Sequence, residues 1–446
     1  MSVSRKVIAI VVVALLGTAA VVAGLRTFGP ARYTPPKHVV VLALDGATWD
    51  LLDPLMERGL LPNLERLRKG GAWAPLASME PSSSPVIWTT VATGKSPEQH
   101  GITFFVRFPD GNLGKPSPVA SSMRRTKAIW NILGESGKDV AVVGWFVTWP
   151  AEAVNGRVIS DRAHYGDISG GMQARTFPPF YLSTLAIPGQ AEAVRALPRF
   201  MDFDYDPDHI DKDARDRGGR KNFLVFDRFV RAYLRDLYYL GAVEAVLADG
   251  RLPDFLAFYL RGTDDVQHGF WQYMEPDLFE DVPIQAVASF GHTIENYWQW
   301  TDEAVGRVLS HYGPDTLVVV LSDHGAGPAV GEHGVVAREH LHLSGSHRDE
   351  GIIIVNGPGV KKGAGPTDGS VYDITPTLLY AMGMPVALDM DGRVLDGFFT
   401  GAVARHAVAP VATYETSAAL LPTDVTSPPQ VEKQILEHLR SLGYID

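Results

Sequence analysis

The sequence predicts an α/β fold, a mostly parallel central sheet flanked by helices, and three observations carry that prediction. Continuous apolar, β-rich runs at 38–44, 139–146, 254–260 and 316–321 have the composition of strands buried on both faces. Segments with helical spacing alternate with them, at 49–69, 126–136 and 294–309. Asp and His residues follow several of the apolar runs, at the strand ends where open α/β sheets gather their reactive groups.

Composition narrows the function classes. The 446 residues are 46% hydrophobic, enough for a large core of one α/β unit with insertions or of two or three domains. A formal charge of -11 argues against sequence-independent nucleic-acid binding, which needs a basic surface. With no cysteine, disulfides, thiolate metal sites and cysteine nucleophiles are all excluded, so any metal sits on oxygen and nitrogen.

The first element is a signal-anchor. Arg5 and Lys6 precede 19 uncharged residues at 7–25, long enough to cross a bilayer as a helix, and residues 1–30 are set apart from the fold. Val21-Val22-Ala23 offers a cleavage site, in which case the protein is secreted. Either way the catalytic part is expected to be extracytoplasmic, although Arg26, Arg32 and Lys37 offset the charges before the span. The expected organisation beyond it is a catalytic core in two parts, 36–150 and 251–400, interrupted at 151–250 by an insertion or helical cap over the active site, where substrate specificity is expected to be encoded, and followed by a tail and helix at 401–446.

A linker at 34–37 leads into the strand at 38–44, and Asp45-Gly46 closes that strand. The helical segment at 49–69 is interrupted at Pro62 and ended by Gly70-Gly71. At 81–94, Ser84 reads as an N-cap with Pro85 at the first helical position, followed by a short apolar helix ending near Gly94. Between 149 and 250 the alternation lapses. Pro178-Pro179, Pro188 and a polar run at 202–220 precede an amphipathic stretch in which Phe226, Val230, Tyr233, Leu237 and Leu240 share a face, the pattern of core packing. After the strand at 254–260 come Asp264 and His268, four residues apart and thus on one face of a helical turn; Asp265 ranks second as a ligand there. Asp323-His324-Gly325 closes the 316–321 strand, and His347 stands before another apolar run at 352–355. Residues 404–429 lack periodicity, whereas Val431, Ile435, Leu439 and Leu442 form one stripe of a terminal helix expected to dock on the core.

An Asp-Gly after a strand is commonly a plain turn, and a serine at a helix start commonly just a cap. Together, however, three carboxylates and three imidazoles (Asp45, Asp264, His268, Asp323, His324, His347) suit borderline divalent ions, zinc first and manganese as the alternative. Ser84 is the nucleophile candidate: a helix start favours phosphate, and a metal could hold its hydroxyl. Two divalent cations against three aspartates leave roughly one net positive charge, suited to an anionic phosphoester. His333, His340 and His342 read as solvated loop residues, with an accessory metal as the lesser alternative.

These segments resemble the alkaline phosphatase superfamily, most closely its type I phosphodiesterase and nucleotide pyrophosphatase branch, over about 37–400 outside the cap. Thr93-Gly94-Lys95-Ser96-Pro97 followed by His100-Gly101-Ile102 is also similar to the family pattern, and the nucleophile nine residues before Thr93 is Ser84. The resemblance implies one metal on Asp264, His268 and His347, and a second on Asp45, Asp323, His324 and the Ser84 hydroxyl. It implies a metal-dependent phosphoesterase working through a phosphoseryl intermediate. Nucleotide pyrophosphatases commonly have Thr as nucleophile and Asn three residues later, where this chain has Ser84 and Ile87, so nucleotide specificity does not carry over. The same Ile87 breaks the sulfatase pattern, and the apolar start separates the chain from soluble phosphoglycerate mutases. The alternative is a membrane-associated phosphotransferase that moves a phospho-alcohol headgroup to a lipid or glycan; a non-catalytic metal-stabilised binding protein ranks third. Substrate, monoester or diester preference and oligomeric state are open at this stage.

Overall fold

The computed structural model describes residues 33–108, 115–165, 172–202, 219–280, 282–329, 343–416, 428–441 and 445. The apolar span at 7–25, the histidines at 333, 340 and 342, and Leu442 lie outside the described residues. None of the described helices is long and apolar enough to cross a membrane.

A nine-stranded sheet forms the centre. In chain order its strands are β1 (His38–Leu44), β2 (Ala72–Ala77), β3 (Val140–Val143), β4 (Gly156–Ile159), β5 (Thr176–Phe177), β6 (Phe255–Leu260), β7 (Thr316–Leu321), β8 (Glu350–Asn356) and β9 (Gly363–Ala364). The spatial order is β9-β2-β8-β7-β1-β6-β3-β4-β5. Strands β7, β1, β6, β3 and β4 are mutually parallel; β8 is antiparallel to β7 and β2, and β5 to β4. The expected mostly parallel sheet is therefore present, and its central strands are buried on both faces because helices cover both sides.

Alternation along β1 divides the core. Val40, Leu42 and Leu44 face α1 (Trp49–Glu57), α2 (Pro62–Gly70), α6 (Gly219–Ala248), α7 (Gly262–Met274) and α8 (Thr293–Leu309). Val39, Val41 and Ala43 face the other layer, with α3 (Ser84–Thr93), α4 (Ile129–Glu135) and α9 (Ile374–Ala381). Two further helices are α5 (Gln190–Phe200), packed on α6, and α10 (Pro429–Ser441). Leu439 of α10 is buried against Phe105 and Val106, so the terminal helix docks as its stripe predicts.

Two expectations need correction. Residues 151–250 are not a separate helical cap: β4 and β5 extend the central sheet, and Phe229, Val243 and Val246 of α6 belong to the same core as Leu42 of β1. The two strands escaped notice because one is four residues long and the other two, the latter followed by Pro178 at the sheet edge. Secondly, Ser84 is not the N-cap of α3. Ser83, with extended φ -111 and ψ 108, takes that place, Ser84 is the first helical residue and Pro85 the second. Three consecutive serines leave this register undetermined in the sequence.

Candidate active site and metal centre

Sheet register assembles the site. Leu44 pairs with Leu260 and Ala43 with Leu321, so the chain leaves β1, β6 and β7 level with one another. Asp45 emerges from β1, α7 starts just beyond β6, and Asp323-His324 follows β7. Gly46 has φ +70, the left-handed region, and a Cβ there would lie 3.3 Å from the Asp264 carboxylate and 2.9 Å from Gln267 Nε2. Its carbonyl accepts from Gln267 Nε2 at 3.0 Å, while Thr263 Oγ1 donates to the Asp45 carbonyl, tying β1 to the first turns of α7. His347 stands just before β8, as expected, and lies itself within a further short strand. A short antiparallel ribbon pairs Gly325–Pro328 with Gly345–Arg348 and sets His347 opposite Ala326.

The result is two adjoining clusters. His268 Nε2 is 3.1 Å from His347 Nε2 and 3.3 Å from Asp264 Oδ1, and His347 Nε2 is 3.5 Å from the same oxygen. His324 Nε2 lies 3.3 Å from Asp45 Oδ1 and 3.5 Å from Asp323 Oδ2. The His324 and His347 rings stack at 3.7 Å, joining the clusters. All six residues are buried except His347, which is half-buried.

Hydrogen bonding fixes what these nitrogens can do. His268 Nδ1 is 2.8 Å from the Gly345 carbonyl, His324 Nδ1 is 2.9 Å from that of Gly325, and His347 Nδ1 is 3.2 Å from that of Ser82. A carbonyl only accepts, so each Nδ1 carries hydrogen and each neutral ring turns an Nε2 lone pair inward. Two lone pairs 3.1 Å apart beside a carboxylate repel unless a cation lies among them. The second cluster leads to the same conclusion: Asp45 Oδ1, both Asp323 oxygens and His324 Nε2 are buried without a hydrogen-bond partner among the described residues. Burial, together with the Asp45 and Asp264 carboxylates, pushes the Asp323 carboxyl well above its usual range, the signature of acids crowded without a counter-charge. Asp264, His324 and His347, and likewise Asp45, Asp323 and His324, bring their ligand atoms within 4.8 Å of one another, so this oxygen and nitrogen donor set fits divalent metal.

Ser84 is buried at the start of α3, two residues beyond Ser82, whose carbonyl meets His347. The fan of free amides expected at this helix start is reduced. Val86 and Ile87 N-H both bond the Ser83 carbonyl and Pro85 has none, which leaves the macrodipole as the helix's main contribution. Sequence reasoning missed Tyr259, the penultimate residue of β6, which donates its hydroxyl to Asp45 Oδ2. Nothing distinguishes it in the sequence from its apolar neighbours. Asp265, the second-ranked ligand, turns away from both clusters and pairs with Arg235 at 2.7 Å and His438 at 3.4 Å.

Comparison with known proteins gives this geometry a family. A search of curated proteins finds no match. Among solved structures, a mutant of the alkaline phosphatase PafA superposes with a TM-score of 0.51 at 13% identity, covering 82% of this chain and 100% of that one. Murine ectonucleotide pyrophosphatase / phosphodiesterase 5 gives 0.45 at 13% identity, over 81% of this chain and 100% of that one. Phosphonoacetate hydrolase from Sinorhizobium meliloti 1021 gives 0.40 at 19% identity over 68% of this chain, which spans 60% of that protein's length. The PafA likeness places the fold with the alkaline phosphatases. The family model described as type I phosphodiesterase / nucleotide pyrophosphatase matches residues 39–375, which run from β1 to the start of α9 and hold every residue of both clusters. On that match the chain belongs to the type I phosphodiesterase / nucleotide pyrophosphatase family.

Proposed function

We propose that the protein is a two-metal phosphoester hydrolase, a phosphodiesterase or phosphatase, acting through a phosphoseryl intermediate on Ser84. The observation that supports it is the convergence of inward-facing acceptor atoms, of which Asp45 Oδ1, both Asp323 oxygens and His324 Nε2 find no donor among the described residues. Asp264, His268 and His347 would hold one ion, and Asp45, Asp323, His324 and the Ser84 hydroxyl the other, with zinc the first choice for this donor set. When bound, the ions act as Lewis acids on phosphoryl oxygen charge.

The chain's own groups do the rest. Ser84 Oγ attacks phosphorus, and its bond to phosphorus forms as the bond to the leaving alkoxide breaks, the proton ending on the leaving alcohol. Water then cleaves the seryl phosphate, returning Ser84 and the phosphate product. The α3 dipole favours the anionic phosphoryl group beside Ser84. Tyr259 holds Asp45 in place from beneath, and the carbonyls of Gly345, Gly325 and Ser82 hold the imidazole tautomers.

The test is turnover of bis-p-nitrophenyl phosphate and p-nitrophenyl phosphate by Ser84→Ala and Asp323→Ala, with metal content measured by mass spectrometry. Loss of a nucleophile should lower kcat by about a thousandfold or more. Ser84→Ala should keep its metals, whereas Asp323→Ala should lose at least one. Near-normal turnover in Ser84→Ala would end the proposal.

A further inference from the structure

Beside the metal cluster, and unused by the reaction as described, lies a cleft partly open to solvent. It begins at Pro85, next to Ser84, and at Tyr259, which braces Asp45; its far side is closed by Ile435, His438 and Leu439 of α10. Aromatic rings of Phe105, Phe146, Tyr165 and Tyr259 supply much of the wall.

Its charges are arranged unequally. Arg162, Arg235 and Arg261 line it together with two carboxylates, Asp161 and Asp236. Both carboxylates are already committed. Asp161 accepts from the Val147 and Trp149 amides at 3.1 and 2.8 Å, and Asp236 from the Gly262 amide at 2.8 Å and the Tyr297 hydroxyl at 3.0 Å. Asp265 lies outside the lining and is paired with Arg235 at 2.7 Å. Arg261 is different. Its guanidinium lies 5.1 Å from the centroid of the Phe146 ring, Nη2 is 3.3 Å from His438 Nε2, and the Asp265 carboxylate is 3.8 Å from Nε. A guanidinium at the cleft lining beside an aromatic ring suits a planar anion such as a carboxylate, which it can meet through paired N-H donors.

We propose that this cleft is the subsite for an organic substituent of the phosphoester, and that it selects a ring-bearing substituent carrying its own anionic group, a carboxylate or a second phosphate. Arg261 is the specificity-determining residue, and His438 positions it from α10. The proposal rests on the hydrolase reading above, since the cleft's value lies in its adjacency to Ser84. It takes the specificity beyond that reading, because the family match ends at residue 375 and α10 begins at Pro429.

Two diesters of similar leaving ability separate the possibilities: bis(4-nitrophenyl) phosphate and bis(3-carboxy-4-nitrophenyl) phosphate. The two substituents of each are identical, so the comparison holds whichever one occupies the cleft. Wild type should favour the carboxylated diester in kcat/KM by about tenfold or more, the scale of one charge-assisted hydrogen bond. Arg261→Gln should bring the ratio close to one, and His438→Ala should lower it with the loss in KM. The second variant lies on a different element from the metal ligands, so it tests the idea even if Arg261→Gln folds poorly. Equal use of both diesters by wild type, or parallel loss on both in each variant, overturns the subsite and leaves the hydrolase reading standing. A metal-loaded wild type inert on both diesters removes both.

Discussion

At the scale of single residues, the site depends on which atom of each side chain is already engaged. Each imidazole gives its Nδ1 hydrogen to a backbone carbonyl, so the three Nε2 lone pairs point inward. Asp45 is steadied from the other side by the Tyr259 hydroxyl. Partners that hold a metal ligand typically contribute about 10–100-fold to metal affinity, and Tyr259→Phe is expected to lose that much at the Asp45 position. Competitive zinc titration against a chelating dye measures it; unchanged affinity would show that the hydroxyl only fills space. Six ligand candidates were legible in the sequence: five because they follow apolar strands or share a helical face, and His347 because it stands before the apolar run at 352–355. Tyr259 was not, because a tyrosine inside an apolar run reads as core. The choice of Asp264 over Asp265 was also legible, since four residues bring Asp264 and His268 to one face of α7, whereas Asp265 turns to Arg235.

At the scale of elements, α6 shows how an amphipathic helix can be read correctly and placed wrongly. Its inward residues are those the periodicity picks out, with Phe226, Val230, Tyr233 and Leu240 all buried. Periodicity says which face is covered and not by what; here the cover is the central sheet together with α7 and α8, while Arg235, Asp236 and Tyr239 of the same helix line the cleft that begins at Pro85. Phe229 packs between Phe200, Phe270 and Tyr297 and is fully buried, so Phe229→Ala should cost about 3–5 kcal/mol of global stability. Urea unfolding followed by tryptophan fluorescence gives the value. A detachable cap would instead unfold alone and leave the main transition where it was. The start of α3 carries a similar lesson, because proline marks a helix beginning only to within a residue when several serines precede it.

On the scale of the whole molecule, metal and fold are linked. Two clusters of mutually repelling acceptors sit at the end of the central strands, so cations that bind them stabilise the folded chain alone. At a hundredfold excess over Kd each ion contributes about 2.7 kcal/mol, and chelation should lower Tm by several degrees, with recovery on adding zinc back. Calorimetry with and without EDTA checks this, and an unmoved transition would count against metal in the clusters. We also infer that the chain is held at a membrane by the apolar span at 7–25, with its catalytic part on the extracytoplasmic side. Full-length protein should then sediment with membranes, and protein lacking residues 1–32 should stay in the supernatant while retaining phosphoesterase activity. Recovery of the full-length chain in the supernatant would remove the anchor.

By itself the sequence determined the α/β class, the strands that form the sheet's centre and the residues that gather at their ends, because burial on both faces and helical spacing leave local periodic marks. The tertiary structure alone decided the strand order, the joining of 151–250 to the sheet, the His347 ribbon, the Tyr259 brace and the cleft closed by α10. Those features depend on contacts between segments tens to hundreds of residues apart, and a local pattern of side chains records that a face is buried without recording its partner.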